Sequence, residues 1–285
     1  MAKIIDGKAI SAQVRAELAK ETEHFEKENG FLPGLAVVIV GDDPASHVYV
    51  RNKARACDEV GFYSETHELP KETTQEVLEK LIDRLNADEK IHGILVQLPL
   101  PKHLDEEKIL LKISSDKDVD AFHPYNVGKI MIGNYSFLPC TPAGIMVLLE
   151  RSGIAIEGKK CVVVGRSNIV GKPMAMLLLH ANGTVTVCHS RTKDLAAVCR
   201  EADILVAAIG KAEFFGADMV KEGAVVIDVG MNRNAEGKLV GDVDFAAVEP
   251  IASYITPVPG GVGPMTITML MKNTLTAAKQ SLKRG

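Results

Sequence analysis

Lys160-Cys161-Val162-Val163-Val164-Gly165-Arg166-Ser167-Asn168-Ile169-Val170-Gly171-Lys172-Pro173 is the stretch that decides the fold. Its apolar run is too short for a core helix and suits a strand covered on both faces. Gly165 ends the strand, and Pro173 sits in what reads as the first turn of a helix. A strand, a glycine turn and a helix start bring free backbone N–H groups and the positive helix end to one point. That point favours a pyrophosphate, and the glycines let the backbone come close to it. Two familiar motifs are absent. A P-loop needs four residues between its glycines and then Lys-Ser or Lys-Thr. Here five residues intervene, and Lys172 precedes Pro173. G-x-G-x-x-G is also missing. The same spacing also fits a plain strand-to-helix turn in any α/β domain.

The following strand, Thr184 to Cys188, ends in His189-Ser190-Arg191-Thr192. A dinucleotide fold that selects NAD carries Asp or Glu at this tip. No acid is present, and the hydroxyl of Ser190 and the guanidinium of Arg191 suit a 2′-phosphate, so the residues favour NADP. The plainer alternative for Arg191 is a solvated surface charge. Two more short apolar runs, Ile204 to Ala208 and Val225 to Asp228, continue the alternation of strand and helix that marks a parallel sheet.

Upstream the same alternation recurs. Ile10, Val14 and Leu18 share a helical face that Gly30 can end, and Leu35 to Val40 is a strand with both faces covered. Asp43-Pro44 predicts a helix start, with its end at Val60-Gly61. Thr73 and Glu76 predict a capping box for a helix reaching about Asn86. Ile91 to Gln97 is another buried strand, stopped by Pro99 and Pro101. From Ser114 to Pro139 the pattern weakens into a loop or domain junction. Thr141-Pro142 reads as a new helix cap, and a last helix runs from about Met265 to Lys283. The expected class is α/β with two domains. Residues 1–140 plus 265–285 form the first, and 141–264 form a Rossmann-like second.

The 285 residues are 46% hydrophobic and 25% charged, with a net charge of −4. That balance is ordinary for a soluble protein and offers no nucleic-acid footprint. The five cysteines, Cys57, Cys140, Cys161, Cys188 and Cys199, form no C-x-x-C pair. A disulfide framework and a thiolate zinc site are not expected, and a reducing compartment is. Asp6 interrupts any signal-peptide core, and no apolar run approaches the roughly 20 residues of a membrane helix. The expectation is a cytoplasmic protein with no membrane partner and no metal.

Four groups of residues outside the glycine loop carry possible chemistry. Tyr49 and Lys53 lie four apart on one helical face, a spacing that suits acid–base work and equally suits mere surface neighbours. Gln97 ends its strand, where ligand crevices of α/β sheets lie, and its amide can orient an amine or a substrate. Asp118 and Asp120 fall in the irregular junction as possible partners of an amide-rich heterocycle, or as solvated carboxylates. The breaker-rich run Pro257-Val258-Pro259-Gly260-Gly261-Val262-Gly263-Pro264 can lay backbone N–H groups against a flat ligand, or can simply connect domains.

Together these segments closely resemble the bifunctional methylenetetrahydrofolate dehydrogenase/cyclohydrolase family. The resemblance rests on Tyr49-Val50-Arg51-Asn52-Lys53, Val96-Gln97-Leu98-Pro99-Leu100-Pro101, Lys117-Asp118-Val119-Asp120, Gly165-Arg166-Ser167 through Val170-Gly171-Lys172-Pro173, and Pro259-Gly260-Gly261-Val262-Gly263-Pro264-Met265-Thr266. It implies two α/β domains with a substrate cleft between them, NADP on the second, and a homodimer. By resemblance Lys53 is the catalytic lysine, with Tyr49 and Gln97 beside it, and Asp120 holds the pterin ring. Gly165, Arg166, Ser167, Ser190 and Met231 match cofactor contacts, and Pro259, Gly260, Gly261, Val262 and Gly263 line the folate side. Ala121 stands where the family usually has Gly, so a positive φ there would strain it. The implied activity oxidises 5,10-methylenetetrahydrofolate with NADP and hydrolyses the methenyl product to 10-formyltetrahydrofolate. Two rivals remain: a two-domain dehydrogenase of another small substrate, and a non-catalytic NADP-sensing protein.

Overall fold

A computed structural model describes residues 1–283. In chain order its elements are β1 (Lys3–Ile4), α1 (Gly7–Asn29), β2 (Gly34–Val40), α2 (Pro44–Val60), β3 (Tyr63–Leu69), α3 (Gln75–Ala87), β4 (Gly93–Val96), α4 (Glu106–Lys112), α5 (Pro124–Met131) and α6 (Cys140–Arg151). They continue with β5 (Lys160–Val164), α7 (Gly171–His180), β6 (Thr184–Cys188), α8 (Leu195–Cys199), β7 (Ile204–Ala207), β8 (Val225–Asp228), β9 (Asn232–Arg233), β10 (Leu239–Val240), α9 (Phe245–Val248), β11 (Tyr254–Ile255) and α10 (Val262–Ser281). The chain divides into two α/β units. One comprises Met1–Ala12 and Pro139–Thr266, the other Gln13–Leu138 and the chain from Ile267 onward.

The unit built on Gln13–Leu138 holds a three-stranded parallel sheet in the order β3-β2-β4. Every residue of the central β2 is buried, which is why its sequence carries no polar alternation. On one face Ala36, Val38, Ile94 and Val96 pack with Leu78, Ile82 and Leu85 of α3 and Ile109 of α4. Leu78, Ile82 and Leu85 repeat at helical spacing, and burying each contributes about 1.5–3 kcal/mol. β3 has no apolar pattern to announce it. Its sequence is Tyr-Ser-Glu-Thr-His-Glu-Leu, and it is bonded to β2 on one side only. An edge strand tolerates polar residues on both faces.

Local start signals hold in part. Asp43 Oδ2 accepts from Ser46 N at 2.8 Å, and Gly61 ends α2 at φ 76°. The cap of α3 is Thr74 rather than Thr73: its Oγ1 accepts from Val77 N at 3.4 Å. That one-residue shift takes Glu76 out of the box position, and the carbonyl of Thr73 instead meets His103 Nε2 at 2.9 Å. The weakly patterned stretch 114–139 contains α5, started by His123, whose Nδ1 accepts from Tyr125 N at 3.1 Å. α5 is hard to see in sequence because Tyr125, Val127 and Met131 are exposed and only Asn126 and Ile130 are buried.

The other unit carries a six-stranded parallel sheet, β1-β11-β8-β7-β5-β6. β6 lies on one side of β5 and β7 on the other, so the order reverses between β5 and β7, the place where such sheets bind ligands. The core includes Val162, Val164, Leu205, Ala207, Val226, Phe215 and Ile255. The sequence places residues 1–12 with the first domain. In the structure β1 pairs with β11, Lys3 with Tyr254 and Ile4 with Ile255, and these residues join the six-stranded sheet. A two-residue strand is too short to show a pattern. Thr141 does not cap α6: it lies inside the helix, its Oγ1 3.0 Å from Thr266 Oγ1, and the cap position is Pro139. α10 starts at Val262, before Met265, so Val262 and Gly263 belong to its first turn. Among the described residues no helix is long and apolar enough to cross a membrane.

Ala121 occupies the left-handed region at φ 57° and is fully buried. The left-handed conformation costs a residue with a Cβ about 1–2 kcal/mol. Glycine would relieve that cost, but it would lose a buried methyl worth about 0.8 kcal/mol and raise the chain's unfolded entropy. Ala121→Gly should therefore stay within about 1 kcal/mol of the parent in urea unfolding. Ala121→Val, β-branched and buried in the same conformation, should lose about 2 kcal/mol or more. Equal stability of the two variants would contradict this reading.

Candidate active site

The glycine loop follows the carboxyl end of β5, at the reversal of the sheet. Gly165 has φ 137°, and a Cβ there would lie 2.2 Å from the carbonyl oxygen of Ala208. No side chain fits, because the loop after β5 and the end of β7 touch backbone to backbone. The Ser167 hydroxyl accepts from Val170 N at 3.2 Å and Gly171 N at 3.3 Å, so it braces the loop from within. Beside the loop is a cavity of about 270 Å³ lined by Gly165, Arg166, His189, Ser190, Lys211 and Phe214, with Leu195 and Ile209 among its apolar walls. Arg191, expected with Ser190, does not line it. Arg191 is exposed, and its backbone N–H donates to His189 Nδ1 at 3.1 Å.

In the other unit Tyr49 and Lys53 lie one turn apart on α2. Lys53 is buried, and its Nζ donates to Gln97 Oε1 at 2.9 Å. Gln97 is held at the end of β4 in two ways. Its backbone N–H donates to Val38 O at 2.8 Å, and its Nε2 donates to Leu98 O at 2.8 Å. A helix side chain and a strand-end side chain are thus joined across 44 residues of sequence. Tyr49 is partly exposed, and burial of its ring raises its phenol pKa above the ordinary value. The arrangement presents a lysine amine with a fixed amide partner, a geometry suited to accepting and placing a proton.

The two junction carboxylates separate. Asp118 is buried and accepts from Phe122 N at 3.2 Å, His123 N at 2.8 Å and Asn126 Nδ2 at 2.8 Å. Burial raises its pKa, against the pull of these bonds. It builds the turn into α5, while Asp120 is half-buried. Of the Pro259–Gly263 run, the Gly260 carbonyl accepts from Lys8 N at 3.1 Å, and Gly261 N donates to Pro257 O at 2.8 Å. A Cβ on Gly263 would lie 3.4 Å from Met231 Cε, so these two expected contact residues are neighbours. Among the described residues no group of three or more His, Cys, Asp or Glu side chains could hold a metal ion. All five cysteines are buried, and burial pushes the Cys57 thiol up to about 12.

Sequence reasoning missed His189, Leu195, Ile209, Lys211 and Phe214 as cavity walls, because they come from the segments after two different strands, β6 and β7. It also missed a buried pair of carboxylates. Asp228, at the end of β8, accepts from Gly230, Asp242 and Val243 backbone N–H groups, each at 2.9 Å. Asp242 accepts from Ile209, Gly210 and Lys211 N–H groups at 2.6, 2.9 and 2.8 Å. The one signal was glycine beside acid in Gly241-Asp242: a Cβ on Gly241 would fall 1.8 Å from Asp228 Oδ2.

A Rossmann-like unit with a glycine loop at its switch point, and a second α/β unit with a buried helix lysine bonded to a strand-end glutamine, define a dinucleotide-dependent enzyme of two α/β units. The chain belongs to the tetrahydrofolate dehydrogenase/cyclohydrolase family. The family's catalytic domain matches residues 5–120, and its NAD(P)-binding domain matches residues 139–282. The "Bifunctional protein FolD" of Moorella thermoacetica is 64% identical over 279 residues, 98% of this chain and 99% of its own length. The bifunctional FolD methylenetetrahydrofolate dehydrogenase/cyclohydrolase of Campylobacter jejuni superposes with a TM-score of 0.96 at 52% identity, covering 99% of this chain and 100% of its own. The Trypanosoma brucei methylenetetrahydrofolate dehydrogenase-cyclohydrolase, solved with NADP and an inhibitor, gives a TM-score of 0.95 at 44% identity, covering 99% of each chain.

Asp228 gives the site a pH signature. Burial pushes its carboxyl from 3.8 up to about 6. Between those values the folded protein binds more protons than the unfolded chain, so this group's contribution to stability falls as pH rises through the window. The difference in unfolding free energy between the parent and Asp228→Asn should shift in that direction from about pH 4 to 6. Parallel pH curves for the two proteins would show that Asp228 ionises normally.

Proposed function

We propose that this chain oxidises 5,10-methylenetetrahydrofolate to the 5,10-methenyl compound with NADP, and hydrolyses that product to 10-formyltetrahydrofolate. The observation that carries the reading is the buried Lys53–Gln97 pair in the family's catalytic domain, with a phosphate-type glycine loop in its NAD(P)-binding domain.

The cavity fits the adenosine end of NADP. Apolar walls suit a flat base, and Arg166 and Ser190 supply a guanidinium and a hydroxyl for a 2′-phosphate, with no carboxylate in the lining. When bound, NADP supplies the hydride acceptor. Gly165 allows the pyrophosphate to approach the backbone, and Ser167 keeps the loop in shape. Met231 and the Pro259–Gly263 segment are assigned to the surface that meets the folate and the nicotinamide end. Asp120 is assigned to the pterin, its carboxylate matching the ring's N–H donors.

Hydrolysis begins with water adding to the bridge carbon of the methenyl cation. Lys53 takes a proton from that water and one passes to N5 as the carbon–N5 bond breaks. The hydroxyl proton leaves as the formyl carbonyl forms, so cation and water give the formyl product and one proton. Gln97 fixes the position of Nζ, and Tyr49 orders the approach to it. The chain is proposed to work in the cytoplasm as a homodimer. The unpaired edge of β3 offers a surface for a second copy, and light scattering gives the mass directly.

The deciding assay follows methenyl absorbance with methylenetetrahydrofolate and either NADP or NAD, before and after acid. NADP-dependent oxidation, with methenyl recovered by acid from the formyl product, is expected. No oxidation with either cofactor by folded protein would leave the non-catalytic NADP-sensing reading or another substrate. Lys53→Met should lower methenyl hydrolysis by about a hundredfold or more with NADP binding intact. Undiminished hydrolysis would remove Lys53 from the mechanism. Arg166→Ala and Ser190→Ala should each raise the KM for NADP about tenfold more than that for NAD, as loss of a charge-assisted or direct phosphate bond requires. Arg191→Ala should discriminate less, because its side chain does not line the cavity; equal effects on both cofactors throughout would dismiss the 2′-phosphate assignment.

A further inference from the structure

Asp242 is fully buried, so it touches no ligand, yet its carboxylate organises the wall of the cofactor cavity. Ile209, Gly210 and Lys211 follow the end of β7, and their three successive N–H groups converge on it: Ile209 and Gly210 on Oδ2 at 2.6 and 2.9 Å, Lys211 on Oδ1 at 2.8 Å. Ile209 and Lys211 themselves line the cavity beside Gly165. Converging N–H groups of this kind form an anion-binding nest, and here the chain fills the nest with its own carboxylate. Asn232, next to Met231, adds a fourth bond, Nδ2 to Oδ1 at 2.9 Å. The Asp242 backbone N–H is in turn held by Asp228 Oδ1 at 2.9 Å. The packing leaves no slack: a Cβ on Gly230 would lie 2.3 Å from Asp242 Oδ1. One side chain therefore ties the segment after β7 to the segment after β8.

We propose that Asp242 is a positioning residue for the cofactor: by holding Ile209–Lys211 it shapes the NADP cavity, and it serves the dehydrogenase reaction but not the hydrolysis. The proposal rests on the two activities assigned above, since hydrolysis of the methenyl compound needs no NADP. Asparagine at this position keeps the size and removes the charge, and its amide group would face at least one N–H donor. The loop then loses part of its anchor at the cavity wall.

The test uses the full chain, with both activities of the parent measured first. Absence of either activity in the parent would defeat the functional reading itself, separately from this proposal. In Asp242→Asn the Kd for NADPH, read by fluorescence, and the KM for NADP should rise at least tenfold, while kcat/KM for methenyl hydrolysis stays within twofold. Unchanged NADPH binding in the folded variant overturns the proposal, and so does a parallel fall of both activities, which marks a general structural role. If Asp242→Asn does not fold, Asn232→Ala removes a single bond and should raise the Kd for NADPH a few-fold with hydrolysis unchanged. An unaltered Kd in Asn232→Ala overturns the proposal as well.

Discussion

In a parallel sheet every strand ends on the same edge, and that constraint places nearly all of the chemistry in this protein. In the three-stranded sheet Gln97 follows β4; in the six-stranded sheet Gly165 follows β5, His189 and Ser190 follow β6, Ile209 to Lys211 follow β7, and Met231 follows β8. Side chains far apart in sequence become neighbours because hydrogen-bonded strands deliver their ends together. The bond from Lys53 to Gln97 is an instance: β4 pairs with β2, Gln97 N donates to Val38 O, and the amide is set where a lysine from α2 can reach it.

The strand ends leave backbone N–H groups that need acceptors. This chain answers repeatedly with aspartate. Asp43 caps α2, Asp118 gathers Phe122, His123 and Asn126, and Asp228 and Asp242 gather six backbone donors between them. Buried carboxylates are costly unless they are hydrogen-bonded, and here the buried Asp118, Asp228 and Asp242 each fix a loop that would otherwise have no regular structure. The same burial that makes Asp118 and Asp228 good anchors raises their pKa values.

Much of the frame was legible in the sequence. β2, β5, β7 and β8 are runs of apolar residues because both faces are covered, and the glycine loop with its proline is readable from covalent geometry alone. β3 and α5 were not legible. An edge strand need not be apolar, and α5 turns most of its large apolar residues outward, so periodicity has nothing to detect in either. Thr73 and Thr141 failed as caps for a common reason. A cap is fixed by the φ/ψ of one residue: Thr74 takes that conformation instead of the neighbouring Thr73, and near Thr141 it falls on Pro139, which has no hydroxyl to mark it in a sequence. β1 escaped because its evident pattern is two residues long and its partner lies some 250 residues away.

By itself the sequence determined the α/β class, the glycine loop, the absence of an acid at the tip of β6, and the residues Tyr49, Lys53 and Gln97 as a set worth joining. These depend on local composition and spacing. Only the tertiary structure decided that Lys53 and Gln97 are bonded, that Arg166 and Ser190 share a cavity that Arg191 does not line, and that Asp118 is buried in the turn into α5 while Asp120 is half-buried. It alone showed Asp242 beneath the cavity wall. The physical reason is that a side chain's partner is set by the register of strands and the path of loops, and neither is written in the few residues around it.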